Sequence, residues 1–405
     1  MEKKNIKQIL NNVVEKNKIP KNILLNIEKT AENFCKELKE KLKRKRIKAE
    51  VFIGGSLAKK TLIKKPEYDV DIFVRFEKKQ DMKLGKIING KKIHGSRDYF
   101  QIKKNDFIIE VVPVLKIKKP ENAENVTDLS YFHVKYVVDK IKKYNLEKEI
   151  ILAKAFCYAQ NCYGAESYIK GFSGYSLELL ICHYKSFLKF IKEITKTEQI
   201  VINNSKKDLR ELNESKLQSP IILIDPTYKQ RNALAGLSKE TFLKFQKACK
   251  SFLKNPSEKY FEKKDLYEKY KNNKKIKIIR IKTNKQEGDI SGTKSKKFFN
   301  FFIYELKKEF NIKKKDFEYK EKENISYFYL IIEKKKSEIR RGPPVKNIYH
   351  LIQFKKAHKN AFIKNKYSYV KINHNLSFNE WFSLFKKQNR KIIKEMDIKE
   401  LKVIH

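Results

Sequence analysis

The chain has no run approaching the roughly 20 apolar residues that a membrane helix needs. Its first ten residues, MEKKNIKQIL, lack the apolar core of a secretory signal. These two absences argue against a membrane protein and against an exported one. The five cysteines, Cys35, Cys157, Cys162, Cys182 and Cys249, stand at no zinc-ligand spacing. An odd number without an export signal points to reduced thiols, a cytoplasmic location and small core residues rather than a disulfide frame. No internal repeat is present. Acidic residues are also scarce, 48 against 94 lysines and arginines, for a formal charge of +46. Part of that excess reflects a preference for Lys over Arg, but preference between two bases does not double bases over acids. A large polyanionic partner, nucleic acid first, accounts for a surface that otherwise repels itself.

What is present is enough hydrophobic residue, 40% of 405, to build several cores. That length suggests two to four domains. Leu24, Ile27, Ala31, Phe34, Cys35, Leu38 and Leu42 recur at helical spacing. AEVFIG then reads as a strand, Gly54-Gly55-Ser56 as a break, and Ser56 as the N-cap of a short helix. YDVDIFVRF alternates as a strand, and DYFQIKKNDFIIEVVPVL reads as two strands meeting near Lys104-Asn105. An α/β domain over residues 1–145 follows. Residues 146–195 read as helical, 203–220 as a polar loop, IILIDP as a strand and SKETFLKFQKACKSFLK as a capped helix, giving a mainly helical domain over 146–262. Residues 263–405 contain a βαββα order, which predicts a small antiparallel sheet with helices on one face, an arrangement common in RNA-binding domains. RRGPPV, near residue 342, reads as a rigid turn or as an RNA-phosphate contact.

The chemistry concentrates in YDVDIFVRF. In a strand, residues i and i+2 share a face, so Asp69 and Asp71 lie together with Phe73, opposite Tyr68, Val70, Ile72 and Val74. Two adjacent carboxylates repel, and a hard cation such as Mg²⁺ relieves the conflict while accepting phosphate oxygens. Gly54 and Gly55 let the backbone approach a ligand, and backbone N–H groups, the Ser56 hydroxyl and Lys59 or Lys60 would face phosphate. A D-x-D pair alone often decorates a solvated edge, and GGS alone is an ordinary turn. A third carboxylate, Glu110, stands in the apolar run DFIIEVVPVL. A two-metal site usually needs such a third carboxylate; a central strand argues against mere decoration, and at an edge the decorative reading survives.

GS, then residues 57–68, then D-x-D, then a carboxylate on a later strand resembles the polymerase-β-type nucleotidyltransferases. ENVTDLSYFHVKYV, AKAFCYAQNCYGAESYIKGFSGYSLELLI, ILIDPTYKQRNALAGLS and RRGPPV narrow the resemblance to the archaeal-type (class I) CCA-adding tRNA nucleotidyltransferases. It spans most of residues 30–260 and is looser beyond. The resemblance implies an α+β multidomain protein: a polymerase-β-like catalytic domain, a helical central domain that recognises the base, and an α+β C-terminal region that binds the tRNA acceptor stem and T arm. It implies template-independent addition of C, C and A from CTP and ATP with two Mg²⁺ ions. Carried over by position, Asp69, Asp71 and Glu110 become the catalytic and metal-binding carboxylates. Gly55, Ser56, Lys59, His133, Lys154 and Tyr163 serve the triphosphate, and Arg231, oriented by Asp225, faces the base. The family usually has Glu at the position of Asp69, Asp at that of Glu110 and Arg at that of Lys59, so one carboxylate arm is shorter, the other longer, and the planar fork is lost. A poly(A) or oligoadenylate-type polymerase, and an inactive RNA-binding relative, are the competing readings. Whether the chain forms a homodimer is left open.

Overall fold

The computed structural model describes residues 6–404 apart from 83, 105–106, 203–208, 211, 285 and 287–288. The chain divides into two compact units, Met1–Lys264 and Asp265–His405.

The first unit opens with helices α1 (Ile6–Asn17) and α2 (Lys21–Arg44). In α2, Ile27, Ala31, Cys35, Leu38 and Leu42 form the buried stripe that the spacing predicts. Strand β1 (Ala49–Ile53), the single turn α3 (Gly55–Ala58) and strand β2 (Tyr68–Phe76) follow. Then come β3 (Lys91–Ile93), β4 (Tyr99–Lys104) and β5 (Phe107–Leu115). The reading of two strands near Lys104 agrees with β4 and β5, and Asn105 itself lies outside the described residues. The five strands form one sheet in the order β1-β2-β5-β4-β3. β2 and β5 run parallel, and the other pairings are antiparallel. The α2 stripe packs with Val51, Val70, Ile72, Val74, Ile109 and Val111, which closes one face of the sheet. The opposite face keeps Asp69, Asp71 and Glu110.

Helices α4 (Ser130–Tyr144), α5 (Glu147–Ala159), α6 (Gly174–Tyr184) and α7 (Phe187–Ile194) continue the unit. Residues 160–173, expected to be helical, instead form a folded loop described below. α5 is buried on nearly every side. Its Phe156 packs with Phe187, Phe245, Phe252 and Phe261 in a core that also takes Ile9, Leu10, Val13 and Val14 from α1. Helix Lys239–Lys254 starts on the Ser238 side chain, which accepts from the Thr241 N–H, and so matches the predicted cap. A small sheet joins β6 (Ile200–Ile202), β7 (Ile221–Asp225) and β8 (Tyr228–Asn232); β8 is not apparent in the sequence. All five cysteines are buried and unpaired.

The second unit holds a four-stranded antiparallel sheet in the order β10-β11-β9-β15, from β9 (Lys277–Thr283), β10 (Phe310–Lys320), β11 (Ile325–Lys334) and β15 (Ile398–Val403). Helices Ile290–Leu306 and Phe378–Gln388 fill one face through Phe298, Phe302, Trp381 and Phe385. The helix read in VKNIYHLIQFKKAH exists at Ile348–Ala357, but it lies beside the strand Glu338–Pro344 rather than on this sheet. A second sheet, ordered β12-β14-β13, comprises β12 (Glu338–Pro344), β13 (Ala361–Lys364) and β14 (Tyr367–Ile372). RRGPPV is therefore largely an edge strand, where proline costs no ladder bond, with a register shift between Arg341 and Pro344. Among the described residues no helix is long and apolar enough to cross a membrane.

Candidate active site

The turn after β1 is built to meet the β2 carboxylates. The Gly54 N–H donates to the Asp71 carbonyl at 2.8 Å, and the Ala58 N–H returns to the Gly54 carbonyl at 3.2 Å. This pins the capping position two residues earlier than predicted, at Gly54 and not Ser56. A Cβ on Gly54 would stand 2.3 Å from the Phe73 ring, and one on Gly55 only 1.7 Å from Asp71 Oδ2. Gly55 also has φ +56°, a conformation other residues adopt at a cost. Both glycines are thus required where Asp71 is approached. The Ser56 hydroxyl next to them has no hydrogen-bond partner among the described residues. Four residues of helix give little dipole, so an anion bound here would be held by side chains and local N–H groups more than by a helix terminus.

Sheet order places Glu110 on a central strand rather than at an edge. β5 lies between β2 and β4, and the parallel register sets Asp71 directly beside Glu110. The three carboxylates share the open face. Asp69 is exposed, Asp71 and Glu110 are half-buried. Neither the Asp69 nor the Asp71 carboxylate has a hydrogen bond or ion pair among the described residues. Both carboxyls are held above the usual range, chiefly by lost solvation, which at Asp69 comes from the protein packed around the carboxyl although the residue as a whole keeps exposed surface. At Asp71 the Lys59 charge opposes that rise and the Asp69 charge adds to it. Glu110 accepts from Gln101 Nε2 at 2.8 Å. Among the described residues no three His, Cys, Asp or Glu side chains already form a metal cluster. The donor set still suits a hard divalent cation: three oxygen ligands on one face, two of them unpaired and electrostatically strained, beside a glycine whose missing Cβ leaves Asp71 room.

A buried charge cluster adjoins the carboxylates. The Lys59 ammonium donates to Glu178 Oε2 at 2.6 Å. The Lys154 ammonium donates to Glu178 Oε1 at 2.7 Å, to Thr61 Oγ1 at 2.8 Å and to the Thr61 carbonyl at 3.3 Å. Glu178 is 0% exposed and Lys154 1%. Burial pulls the Lys154 ammonium down to about 8, with Glu178 resisting. Burial pushes the Glu178 carboxyl up, but the two lysines outweigh it and hold it below the usual range. The resemblance assigns Lys154 to the triphosphate, yet its three N–H donors all meet protein acceptors.

The loop 160–173 brings Tyr163 to the same place. The Phe172 N–H donates to the Cys162 carbonyl at 2.8 Å, the Gly164 N–H to the Phe172 carbonyl at 2.8 Å and the Gly171 N–H to the Gly164 carbonyl at 2.9 Å. A Cβ on Gly171 would lie 2.1 Å from the Cys162 carbonyl oxygen, so the loop closes only on glycine. Gly174 then packs where a Cβ would be 2.9 Å from the Tyr163 hydroxyl and 3.8 Å from Lys154 Cε. Ser173 caps α6. Lys65 lies 4.8 Å from the centre of the Tyr163 ring.

A second cluster centres on Asp225, at the end of β7 and 0% exposed. Its Oδ1 accepts from the Tyr175 hydroxyl at 2.9 Å, the Thr227 N–H at 2.9 Å and the Thr227 hydroxyl at 2.7 Å. Its Oδ2 accepts from Arg231 Nη1 at 2.7 Å and lies 3.2 Å from His133 Nε2. A carboxylate only accepts, so His133 Nε2 carries the proton. The 3.4 Å approach of Arg231 Nη1 to that nitrogen is then two donors converging on one oxygen. Burial would raise the Asp225 carboxyl, but bonds and charge from His133, Arg231 and Thr227 reverse this and hold it well below the usual range. Burial lowers His133 despite Asp225, leaving a neutral imidazole at pH 7. His133 stacks on Tyr175 with ring centres 4.0 Å apart. Tyr175 also lies 5.5 Å from the Arg231 guanidinium and 5.9 Å from the Lys59 ammonium. It therefore joins the two clusters.

The site residues that the resemblance assigns thus fall into three adjoining groups: the carboxylate face, the Lys59–Lys154 cluster with Tyr163 beside it, and the Asp225 cluster; Lys60, the alternative to Lys59, is exposed. Thr61, Tyr175, Glu178 and Thr227 belong to the same groups and escape sequence reasoning. The only trace of them in the sequence is Glu178, a lone acid among the apolar residues of YSLELLICHY.

An open-faced sheet with paired aspartates on β2, a third acid on β5 and a glycine turn against them defines a polymerase-β-type nucleotidyltransferase. Residues 35–151 match the family model described as a nucleotidyltransferase domain, and residues 148–262 that of a tRNA nucleotidyltransferase second domain. A solved structure of Cid1, an RNA terminal uridylyl transferase, shares the fold with a TM-score of 0.51 at 11% identity, over 65% of this chain and 100% of that one. A CCA-adding enzyme of Methanocaldococcus jannaschii is 30% identical over 348 residues, 78% of this chain and 76% of that one. One of Nanoarchaeum equitans is 43% identical over 211 residues, 48% of this chain and 52% of that one. The chain belongs to the CCA-adding enzyme family.

Proposed function

We propose that this chain adds C, C and A to the 3′ end of tRNA, using CTP and ATP without a nucleic-acid template and releasing pyrophosphate. The observation that carries the reading is the in-register neighbourhood of Asp71 and Glu110 on the open face that also holds Asp69, directly against the Gly54-Gly55 turn. Asp69, Asp71 and Glu110 would hold divalent metal, two Mg²⁺ ions by the chemistry of such sites, which when bound neutralises the triphosphate and acidifies the attacking 3′-hydroxyl. Ser56, with its unpaired hydroxyl, and Lys59 bind the phosphates, with Tyr163 near Lys154 and Lys65 beside them. Glu110, which accepts from Gln101 Nε2, takes the proton of the 3′-hydroxyl. The hydroxyl attacks the α-phosphorus in line and pyrophosphate leaves. Positioning and charge stabilisation supply most of the acceleration.

Arg231 donates to acceptors on the base, and Asp225 fixes the guanidinium by taking Nη1. Acceptors occur on both cytosine and adenine, so exclusion of G and U falls to pocket shape and the growing RNA end. His133, neutral and stacked on Tyr175, sits beside Arg231 without adding charge. The excess of basic residues serves the acceptor stem and T arm, an A-form helix read by shape and backbone. The setting is cytoplasmic. The test is Asp69→Asn with Asp71→Asn: loss of both CMP and AMP incorporation is expected, and retained incorporation of either would refute the carboxylate assignment.

A further inference from the structure

Glu178 takes no part in the steps above, yet it is the most deeply placed charge beside the phosphate-binding groups. It reaches the site from α6, three residues after Tyr175, and so on the same helix face. One carboxylate oxygen takes Lys154 at 2.7 Å and Thr61 at 3.1 Å, and the other takes Lys59 at 2.6 Å. A fold that needed only a satisfied buried acid would stop at Lys154 and Thr61. Lys154 alone neutralises it, and Thr61 takes the other two Lys154 donors. Lys59 is surplus to that need. Its ammonium spends one donor on Glu178 and has no other acceptor among the described residues. Lys59 is 7% exposed and close enough to Asp71 for its charge to act on that carboxyl. Two lysines and one glutamate leave the cluster with a charge of +1, carried on the ammonium with open donors.

We infer that Glu178 is a positioning residue for triphosphate binding: it fixes the Lys59 ammonium toward the phosphates, while Lys154 and Thr61 neutralise and immobilise Glu178 itself. The inference rests on the nucleotidyl-transfer reading and divides its phosphate ligands into Lys59, which binds, and Lys154, which supports. The residue identity explains the need. A lysine is a point charge on a flexible stem, without the planar fork that would orient an arginine, so its direction must come from a partner. The contacts also tie segment 59–61 of the sheet domain to α5 and α6, so the clamp spans both halves of the first unit.

The test compares full-length wild type with Glu178→Gln in KM for CTP and ATP, KM for tRNA lacking its CCA end, and competitive inhibition by inorganic tripolyphosphate. The expected result is a rise of roughly tenfold or more in KM for both nucleotides and in the tripolyphosphate inhibition constant, with KM for tRNA unchanged. Glu178→Gln with Lys154→Met removes one charge of each sign. It preserves the charge balance of the core if the single variant does not fold, and the same rise is expected. A folded variant with the wild-type inhibition constant, or one whose tRNA and nucleotide KM values rise alike, overturns the inference. Wild type that neither incorporates nucleotide nor is inhibited by tripolyphosphate refutes the underlying reading, a result distinct from an unmoved variant.

Discussion

Replacing Gly55 by alanine should silence the site while leaving the fold nearly intact. The new methyl would stand 1.7 Å from Asp71 Oδ2, whereas real Cβ atoms essentially never come within 3.0 Å of another group. The carboxylate must therefore retreat by more than 1 Å, or the turn must open. Holding alanine at φ +56° costs roughly 1–2 kcal/mol of backbone strain. In a unit of this size that lowers the melting temperature by roughly 2–8 °C. The effect on chemistry is larger, because displacement of a catalytic group by about 1 Å costs on the order of 10²-fold in rate, or about 2.7 kcal/mol of transition-state stabilisation. Single-turnover CMP incorporation and a melting curve measure the two effects separately. Gly236→Ala is the control: nothing lies within 4 Å of its Cβ position, and stability within about 0.5 kcal/mol of wild type is expected. Gly55→Ala with the wild-type incorporation rate would refute the claim that the turn exists to admit the Asp71 carboxylate.

Arg231→Ala should relax or abolish the choice of CTP and ATP over GTP and UTP, and unchanged selectivity in single-nucleotide incorporation would remove its assigned role. Asp225→Asn leaves two converging cationic or polar donors without their carboxylate and should cost about 3–5 kcal/mol by denaturant unfolding; a loss under about 1 kcal/mol would contradict the burial and bonding described. Because the folded Asp225 carboxyl is depressed, its contribution is fully present above the unfolded value of 3.8 and is lost as pH falls through the folded value. The stability gap between wild type and Asp225→Asn should accordingly stay constant down to about pH 4 and shrink only in stronger acid. A gap that closes by pH 5 would refute the assignment. Affinity for tRNA should fall by orders of magnitude between about 50 and 200 mM salt, and a flat salt dependence would deny the basic surface its role.

Legibility in the sequence followed the range of the interactions. Alternation in β2 placed Asp69 and Asp71 on one face, since strand period is local. Glu110 needed sheet order: whether it is a ligand or decoration depends on β5 being central, and nothing within DFIIEVVPVL says so. The Asp225 cluster draws on residues 133, 175, 225, 227 and 231, from α4, α6, β7, the β7–β8 turn and β8, and no spacing rule links them. Glu178 is the sharpest miss, because helical periodicity treats a single acid in an apolar run as an irregularity. In the second unit, β12 and β13 are short, lysine- or arginine-bearing and mostly exposed, so they lack the alternation that betrays a half-buried strand. The Ile348–Ala357 helix was legible as a helix, but its packing partner, β12, was not.

The central claim is tested most directly by supplying labelled CTP and ATP, separately and together, to the wild-type chain with tRNA truncated before its CCA end. The account predicts two C additions with CTP alone, one further A when ATP is present, and then arrest. An unlimited A tail, or no incorporation under Mg²⁺, would contradict it.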